Sequence, residues 1–259
     1  MKVFWAVSAL GGFLVAARVS AAQHNIVISD SLAANADTLT VKRGAQWLGR
    51  MPQWRFGDYA IASSTLSSTG TRTKGIRSGT SESRSSGKFS FVLTNGTGDS
   101  ASVQAEHNTT VHLLHKESQN GWRIPSIPSD KEVMLDSQNA TANITVNGDT
   151  TDTWALVLGV RVAHRSELVS NAVLTNGVRK IVLSDVTSHK HGWFDLRGIA
   201  AGYEFIEDGR SLGAVQYYGG TFGTTNIVWM LRSVDARTKL MLAAAMTAVL
   251  QIRSPEPGP

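Results

Sequence analysis

The chain has 259 residues, with 25 Lys and Arg against 20 Asp and Glu, 42% hydrophobic residues and no cysteine. The absence of cysteine excludes disulfides, thiolate metal sites, iron–sulfur clusters and cysteine nucleophiles. Charged residues make up 17% of the chain, below the usual quarter, which argues against a disordered acidic or basic protein. The length suits one large β domain or two small ones.

Residues 1–22 have the pattern of a secretory signal. Lys2 gives a positive start, an apolar run of about fifteen residues follows, and small residues allow cleavage after Ala21 or Ala22. The alternative is an uncleaved anchor helix, but Arg18 ends the apolar run short of the roughly twenty residues that a bilayer span needs. We therefore expect cleavage and a secreted or periplasmic protein.

Positive charge is concentrated between residues 41 and 90. This segment contains nine basic residues and only two acidic ones, Asp58 and Glu82, which gives a net charge of +7. Loss of Lys2 and Arg18 with the signal leaves 23 basic against 20 acidic side chains, so the rest of the mature chain carries −4. Such a segment predicts attraction to anionic lipid or a polyanionic surface, and we expect no specific nucleic-acid partner. The alternative is a solvated loop kept soluble by its charges. The residues expected to bind the anionic surface are Arg72, Lys74, Arg77 and Arg84.

Within this basic region, residues 63–87 are mostly Ser, Thr and Gly, eighteen of twenty-five. With so little to bury, the segment is expected to form a mobile loop or a linker, or alternatively two polar edge strands. Four aromatic residues lie just upstream and are expected to pack in the core or in a lid: Trp47, Trp54, Phe56 and Tyr59.

After Gly87 the turn residues become regular. Asn-Gly or Asp-Gly pairs tolerate the positive φ angles of tight hairpins, and strand-like runs flank several of them. The pairs are Asn95-Gly96, Asn120-Gly121, Asn147-Gly148, Asn176-Gly177 and Asp208-Gly209. The predicted strands cover 89–93, 142–146, 153–162, 172–175, 178–183, 203–207 and 212–218. This pattern is typical of antiparallel hairpins in a barrel or a sandwich.

One segment near the C-terminus predicts a helix. Asp235 can cap it, and residues 240–250 are apolar except for Thr247. Eleven residues give about 16 Å of helix, roughly half a bilayer core. A helix that is apolar all round must be buried on all sides, inside a barrel or between a sheet and a lid.

The predicted fold class is mainly β, an antiparallel barrel or sandwich with one buried apolar C-terminal helix. The expected divisions are a signal peptide (1–22), an N-terminal segment (23–62), a basic loop or linker (63–87), a main β domain ending in the helix (88–252) and a tail (253–259).

The C-terminal quarter resembles a known family. Residues 203–216 form a predicted hairpin, 226–231 a strand, and the apolar helix follows Asp235. This order resembles the ending of tubby C-terminal-like proteins, which include LURP-one-related proteins and phospholipid scramblases. The resemblance implies a closed antiparallel barrel around a hydrophobic C-terminal helix and an inclination toward membrane lipids. It covers about fifty residues as an order of elements, carries over no functional residue, and a signal peptide departs from those mostly intracellular families.

Histidines offer the main route to metal chemistry. His189 and His191 would share one face of a strand, a spacing that suits zinc or copper, and Asp185 or Asp195 could complete the ligand set. The alternative is a pair of ordinary surface histidines. A second, looser group comprises His107, His112 and His115.

Catalytic signatures are missing from the sequence, which has no Gly-x-Ser-x-Gly elbow, His-Glu-x-x-His pair or Walker loop. Glu204, Glu207 and Asp208 cluster as the carboxylates of glycosidases do, but they flank a hairpin turn in which Asp before Gly already has a structural role. No catalytic residue is predicted.

These observations favour an exported, non-catalytic β protein without a cofactor that binds lipid or another anionic surface. One alternative is a structural or interaction module of the adhesin type, in which the Ser/Thr-rich segment is a spacer. The other is a metalloprotein that holds zinc or copper through His189 and His191. Salt-sensitive binding to anionic vesicles would support the first hypothesis, and stoichiometric zinc or copper would support the metalloprotein. The absence of both would support the interaction module.

Overall fold

A computed structural model of the chain describes residues 25–67, 70–76, 80–115, 131–162, 168–188, 201–219 and 225–253. The expected signal, residues 1–22, and residues 254–259 of the expected tail lie outside these ranges. In chain order the elements are α1 (Asp30–Asn35), β1 (Ala36–Thr40), β2 (Lys42–Arg43), β3 (Trp54–Phe56), β4 (Tyr59–Leu66), β5 (Gly70–Ile76), β6 (Thr80–Thr94), β7 (Ser100–His115), β8 (Lys131–Val146), β9 (Trp154–Val162), β10 (Leu168–Thr175), β11 (Lys180–Thr187), β12 (Ala201–Glu207), β13 (Arg210–Tyr218), β14 (Ile227–Leu231) and α2 (Ala236–Arg253).

All described strands pair antiparallel in one sheet. Thirteen of them follow the order β1-β14-β13-β12-β11-β10-β9-β8-β7-β6-β4-β3-β2, and β5 pairs with β6 beside this path. The thirteen form a nearly closed barrel, with α2 as its C-terminal helix. The predicted fold class is therefore confirmed, as a barrel rather than a sandwich. Strands β1 to β4 belong to the same sheet as the strands of the expected main domain.

One continuous stretch, residues 36–43, joins the two edges of the sheet. Its first part, β1, pairs with β14, with Ala36 opposite Leu231. Its second part, β2, pairs with β3, with Lys42 opposite Arg55. A single segment that changes partners along its length therefore connects the two edges of the nearly closed barrel, and we call this segment the seam.

Short turns gather at one end of the barrel, which we call the turn end. Asn147 and Asp208 have φ angles of 53° and 49°, each followed by a glycine with positive φ. Side chains link successive turns, since Asn147 Nδ2 donates to Asp99 Oδ1 at 3.0 Å and Asn176 Nδ2 to Asp152 Oδ1 at 2.8 Å. Four of the five predicted turn pairs lie here, while Asn120-Gly121 falls outside the described residues.

Helix α2 fills the barrel interior. Each residue from Leu240 to Leu250 is buried, Thr247 included, and the Thr247 hydroxyl donates to the Ala243 carbonyl at 2.8 Å. The helix begins as predicted, because Asp235 Oδ1 accepts a hydrogen bond from the Thr238 amide at 2.9 Å. A Cβ atom at Gly213 of β13 would lie 2.8 Å from Met246 Cε, so helix and wall are in close contact.

A second apolar cluster lies outside the barrel wall. Leu32 of α1 is fully buried and packs on β13 and β14, against Ala214 and Trp229 among others. The segment before α1 is held by a buried hydrogen bond from the Ile26 amide to Gln216 Oε1 at 3.0 Å. Alternate residues of β14 belong to the main core that includes α2 and to the outer cluster that includes Leu32, so every residue of this strand is buried.

The predicted aromatic cluster divides in the structure. Trp54 and Phe56 are each 1% exposed in the main core, and Trp54 Nε1 donates to Gln251 Oε1 of α2 at 3.3 Å. Tyr59 is half-buried against the same core. The expectation was wrong for Trp47, which is 67% exposed, because it lies in the turn between β2 and β3 rather than on a strand.

Candidate functional site

The end of the barrel opposite the turns carries a sheet extension. Strands β6, β7 and β8 have 15 or 16 residues, whereas β9 to β13 have 7 to 9. Strand β4 pairs with β6 as far as Leu66 opposite Phe89, and beyond that point β5 takes its place. We call β5 together with residues 80–86 of β6 the basic hairpin.

The sequence of the basic hairpin explains why it is a strand pair outside the core. In the barrel half of β6, Phe89, Phe91 and Leu93 alternate inward and are buried. In the other half Ser, Thr and Gly replace them, which removes apolar burial but keeps residues that tolerate extended backbone. Of the two expectations for residues 63–87, the polar strands match what β5 and β6 form in this segment.

The basic hairpin brings predicted binding residues together. Its register places Arg72 opposite Arg84 and Lys74 opposite Glu82, so these four positions fall on one face. This face continues the outer surface of the barrel, because the alternate positions from Phe89 onward face inward. Lys74 is exposed.

Glu82 offsets part of this positive charge. The Arg84 guanidinium hydrogen-bonds the Glu82 carboxylate two positions away, and its side chain remains 72% exposed. Like charges directly opposite one another destabilise an antiparallel pair, so Arg72 and Arg84 do not stabilise the strand pairing through their charges. Arg77, the fourth predicted binding residue, lies outside the described residues.

At the base of the hairpin the charges are balanced. Lys88 Nζ lies 3.6 Å from Glu106 Oε2, and both side chains are largely exposed. A pocket of about 240 Å³ opens beside them, lined by Ser67 and His107 among others. This pocket is lined by both Lys88 and Glu106, so its charges offset each other. The excess of basic residues lies further along the hairpin, away from the barrel, at Arg72, Lys74 and Arg84.

The predicted metal ligands His189 and His191 lie outside the described residues. His112 and His115 occupy positions in β7, and the His107 ring centroid lies 6.5 Å from that of Phe89. Across the described ranges, no group of three His, Asp or Glu side chains is arranged to hold a metal ion.

Two of the three clustered carboxylates have a hydrogen-bond partner, and the third residue has a role in a turn. Glu207 receives two hydrogen bonds from Arg179, both 2.8 Å, and these bonds hold its pKa below the usual range. Glu204 is buried and accepts a hydrogen bond from the Ser29 amide at 3.2 Å. Asp208 provides the positive φ of the β12–β13 turn. These contacts tie strands, a turn and the N-terminal segment together.

A polar cluster that sequence reasoning missed lies where α2 ends. Arg253 Nη2 donates to the Tyr203 hydroxyl at 3.0 Å, and the guanidinium also bonds to Gln138. The Tyr217 ring lies 5.5 Å from that of Tyr203, and burial raises the pKa of Tyr217 to about 12. An arginine shortly after the apolar run of residues 240–250 was the available signal. Its charge is stabilised by neutral oxygen acceptors and by the face of the Tyr203 ring.

Within the part of the chain that the structure describes, no helix is both long and apolar enough to cross a membrane. No protein-family model, curated protein or solved structure matches this chain.

Proposed function

We propose that this chain is an exported, non-catalytic β protein that binds a lipid membrane or another anionic surface through the basic hairpin. The observation that supports the proposal is the register of β5 with β6, which puts the positions of Arg72, Lys74 and Arg84 on one outer face together with that of Glu82. Export rests on the signal-like pattern of residues 1–22.

An anionic surface would relieve the repulsion within this face. Arg72 and Arg84 occupy directly opposite positions of the strand pair, and a negative surface potential contributes about 1 kcal/mol per Lys or Arg brought close to it. Backbone pairing of the two strands keeps the basic positions next to one another on this face. Such binding weakens as salt screens the charges.

The contact is expected with headgroups on the outside of the barrel rather than with a lipid enclosed in it. Helix α2 occupies the interior, and its residues from Leu242 to Met246 are 0% exposed. An acyl chain would have to displace this helix and lose its packing.

The test is co-sedimentation of the mature chain with vesicles of phosphatidylcholine alone or with added phosphatidylserine. We expect binding to the anionic vesicles at about 0.01 M salt and weaker binding at about 0.15 M. The triple variant Arg72→Gln, Lys74→Gln, Arg84→Gln should lose most of it, because each charge near the surface contributes about 1 kcal/mol.

The matched control removes three exposed cations elsewhere, as Arg50→Gln, Arg55→Gln and Lys180→Gln. It changes the net charge equally and should keep most of the vesicle binding. Equal loss in both triple variants would show that net charge, not the hairpin, attracts the protein. Absence of anionic preference in the unmodified chain would reject the proposal in favour of an interaction module.

A further inference from the structure

A second polar site lies at the turn end of the barrel, opposite the basic hairpin. A pocket of about 250 Å³ opens between α1, the start of β13 and the segment after β14. Its polar lining is Arg210, Arg232, Asn35 and the three serines Ser31, Ser211 and Ser233. The pocket therefore combines two guanidinium groups with several neutral hydrogen-bonding groups. Among the residues that the structure describes, no carboxylate lines the pocket itself, although Asp37 pairs with Arg232 beside it.

The guanidinium groups are held in place at the pocket. Arg232 Nε donates to Asp37 Oδ1 and its Nη2 to the Ala36 carbonyl, both at 2.8 Å. Arg210 Nη2 donates to the Ser233 hydroxyl at 2.7 Å, which is a neutral acceptor, and within the described ranges Arg210 forms no ion pair. Guanidinium groups fixed in this way pay less conformational entropy when they bind an anion.

Ser211 is the feature that points to a ligand. The residue is 6% exposed, and its Oγ is buried without a hydrogen-bond partner among the residues that the structure describes. Ser211 pairs with Ile206 just beyond a bulge in β12–β13, on the wall that α1 covers. A buried hydroxyl without a partner costs free energy, and a ligand oxygen in the pocket would supply the missing partner.

We propose that this pocket binds a compact tetrahedral oxyanion of the phosphate class, free or as a phosphomonoester, through Arg210, Arg232 and Ser211. Guanidinium groups match phosphate oxygens with directed, charge-assisted hydrogen bonds, and a serine hydroxyl can donate one more. The volume is below the roughly 300–1,000 Å³ of drug-sized ligand sites, which favours a small ligand. The site is independent of the basic hairpin.

The test is isothermal titration of the mature chain with inorganic phosphate at about 0.15 M salt. We expect saturable binding that Arg210→Gln weakens about tenfold, because it removes a charge-assisted contact. Ser211→Ala should weaken binding severalfold while leaving the unliganded protein at least as stable, because the hydroxyl has no hydrogen-bond partner to lose among the described residues. Lys180→Gln, an exposed site on β11, is the control and should bind as the unmodified chain does.

Titration with glycerol 3-phosphate distinguishes the two sources of the anion, which are free phosphate and a phosphomonoester. Tighter binding of glycerol 3-phosphate than of phosphate would identify a phosphomonoester ligand, and equal or weaker binding would identify the free anion. Either result supports the site. No heat with phosphate or glycerol 3-phosphate at about 1 mM, or equal affinity in both pocket variants and the unmodified chain, would overturn it. The vesicle test is unaffected, because the hairpin variants leave this pocket intact.

Discussion

The two halves of β6 give the most informative comparison in the molecule. In one half Phe89, Phe91 and Leu93 form the barrel wall against α2. In the other half the same strand continues into the basic hairpin with Ser, Thr and Gly, and its pairing with β7 continues without interruption to Leu114. Backbone pairing therefore extends the strand, while apolar burial is confined to the barrel.

The free energy of folding should follow burial rather than strand length. Complete burial of a leucine or phenylalanine contributes about 1.5–3 kcal/mol, whereas a favourable cross-strand pair contributes about 0.2–1 kcal/mol. The barrel with α2 should therefore set the global stability, and the basic hairpin should open locally at lower cost.

The largest effect is expected inside the barrel. Leu242 of α2 is 0% exposed, so Leu242→Ala should cost about 2–5 kcal/mol of unfolding free energy, as lost burial plus a cavity. The measurement is urea denaturation followed by tryptophan fluorescence. The control is Val182→Ala on the outer wall, 46% exposed, which should change stability by less than about 0.5 kcal/mol. Equal losses would show that α2 is not the centre of the core.

A smaller effect is expected where α2 begins. Asp235→Ala should cost about 1 kcal/mol because it removes the cap on the Thr238 amide. That hydrogen bond lowers the pKa of Asp235, so the part of its stabilising effect that depends on the negative charge is present above the unfolded-state pKa near 4 and is lost as the pH falls through the folded-state value. The difference in stability between the unmodified chain and the alanine variant should therefore narrow in acid, as measured by urea midpoints at several pH values.

Asp235→Asn is the matched control for this prediction. Its amide oxygen can still accept the hydrogen bond from Thr238 but does not titrate. It should keep most of the stability at neutral pH, with a weaker dependence on pH. A constant difference between Asp235→Ala and the unmodified chain down to acid pH would contradict the assigned cause.

The smallest effect is expected in the basic hairpin. Arg84→Gln removes an ion pair with Glu82 that is 72% exposed on the arginine side, so unfolding free energy should change by less than about 0.5 kcal/mol. The same urea experiment measures it. A loss of unfolding free energy above about 1 kcal/mol would mean that the hairpin contributes to global stability, and would contradict the expected difference between the two halves of β6.

The local elements of the fold were predictable because their signals are local. Asn147-Gly148 and Asp208-Gly209 form turns with positive φ, and the apolar run after Asp235 is a buried helix. The seam was not predictable, because residues 36–43 pair with two strands far apart in the sequence. Composition alone likewise left residues 63–87 as loop, linker or strand.

The sites depended still more on long-range geometry. Four basic residues could be singled out from charge, but the position of Arg72 opposite Arg84 follows from a register that sequence does not encode locally. The pocket that we propose to bind phosphate joins Ser31 to Arg210 and Arg232, which are far apart in the sequence. Arg253 was assigned to the tail, whereas it is part of α2 and contacts Tyr203.

The seam has a consequence for the order of folding. A chain made from its N-terminus presents β1 early, yet the partner of β1 is β14, and the interior is filled by α2, the last described element. Bringing together strands so far apart in the sequence is slow, because the entropy of loop closure is lost before the stabilising contacts between the strands form. The barrel can therefore complete its core only when α2 has been synthesised, and every shorter nascent chain exposes the inner wall to chaperones and proteases.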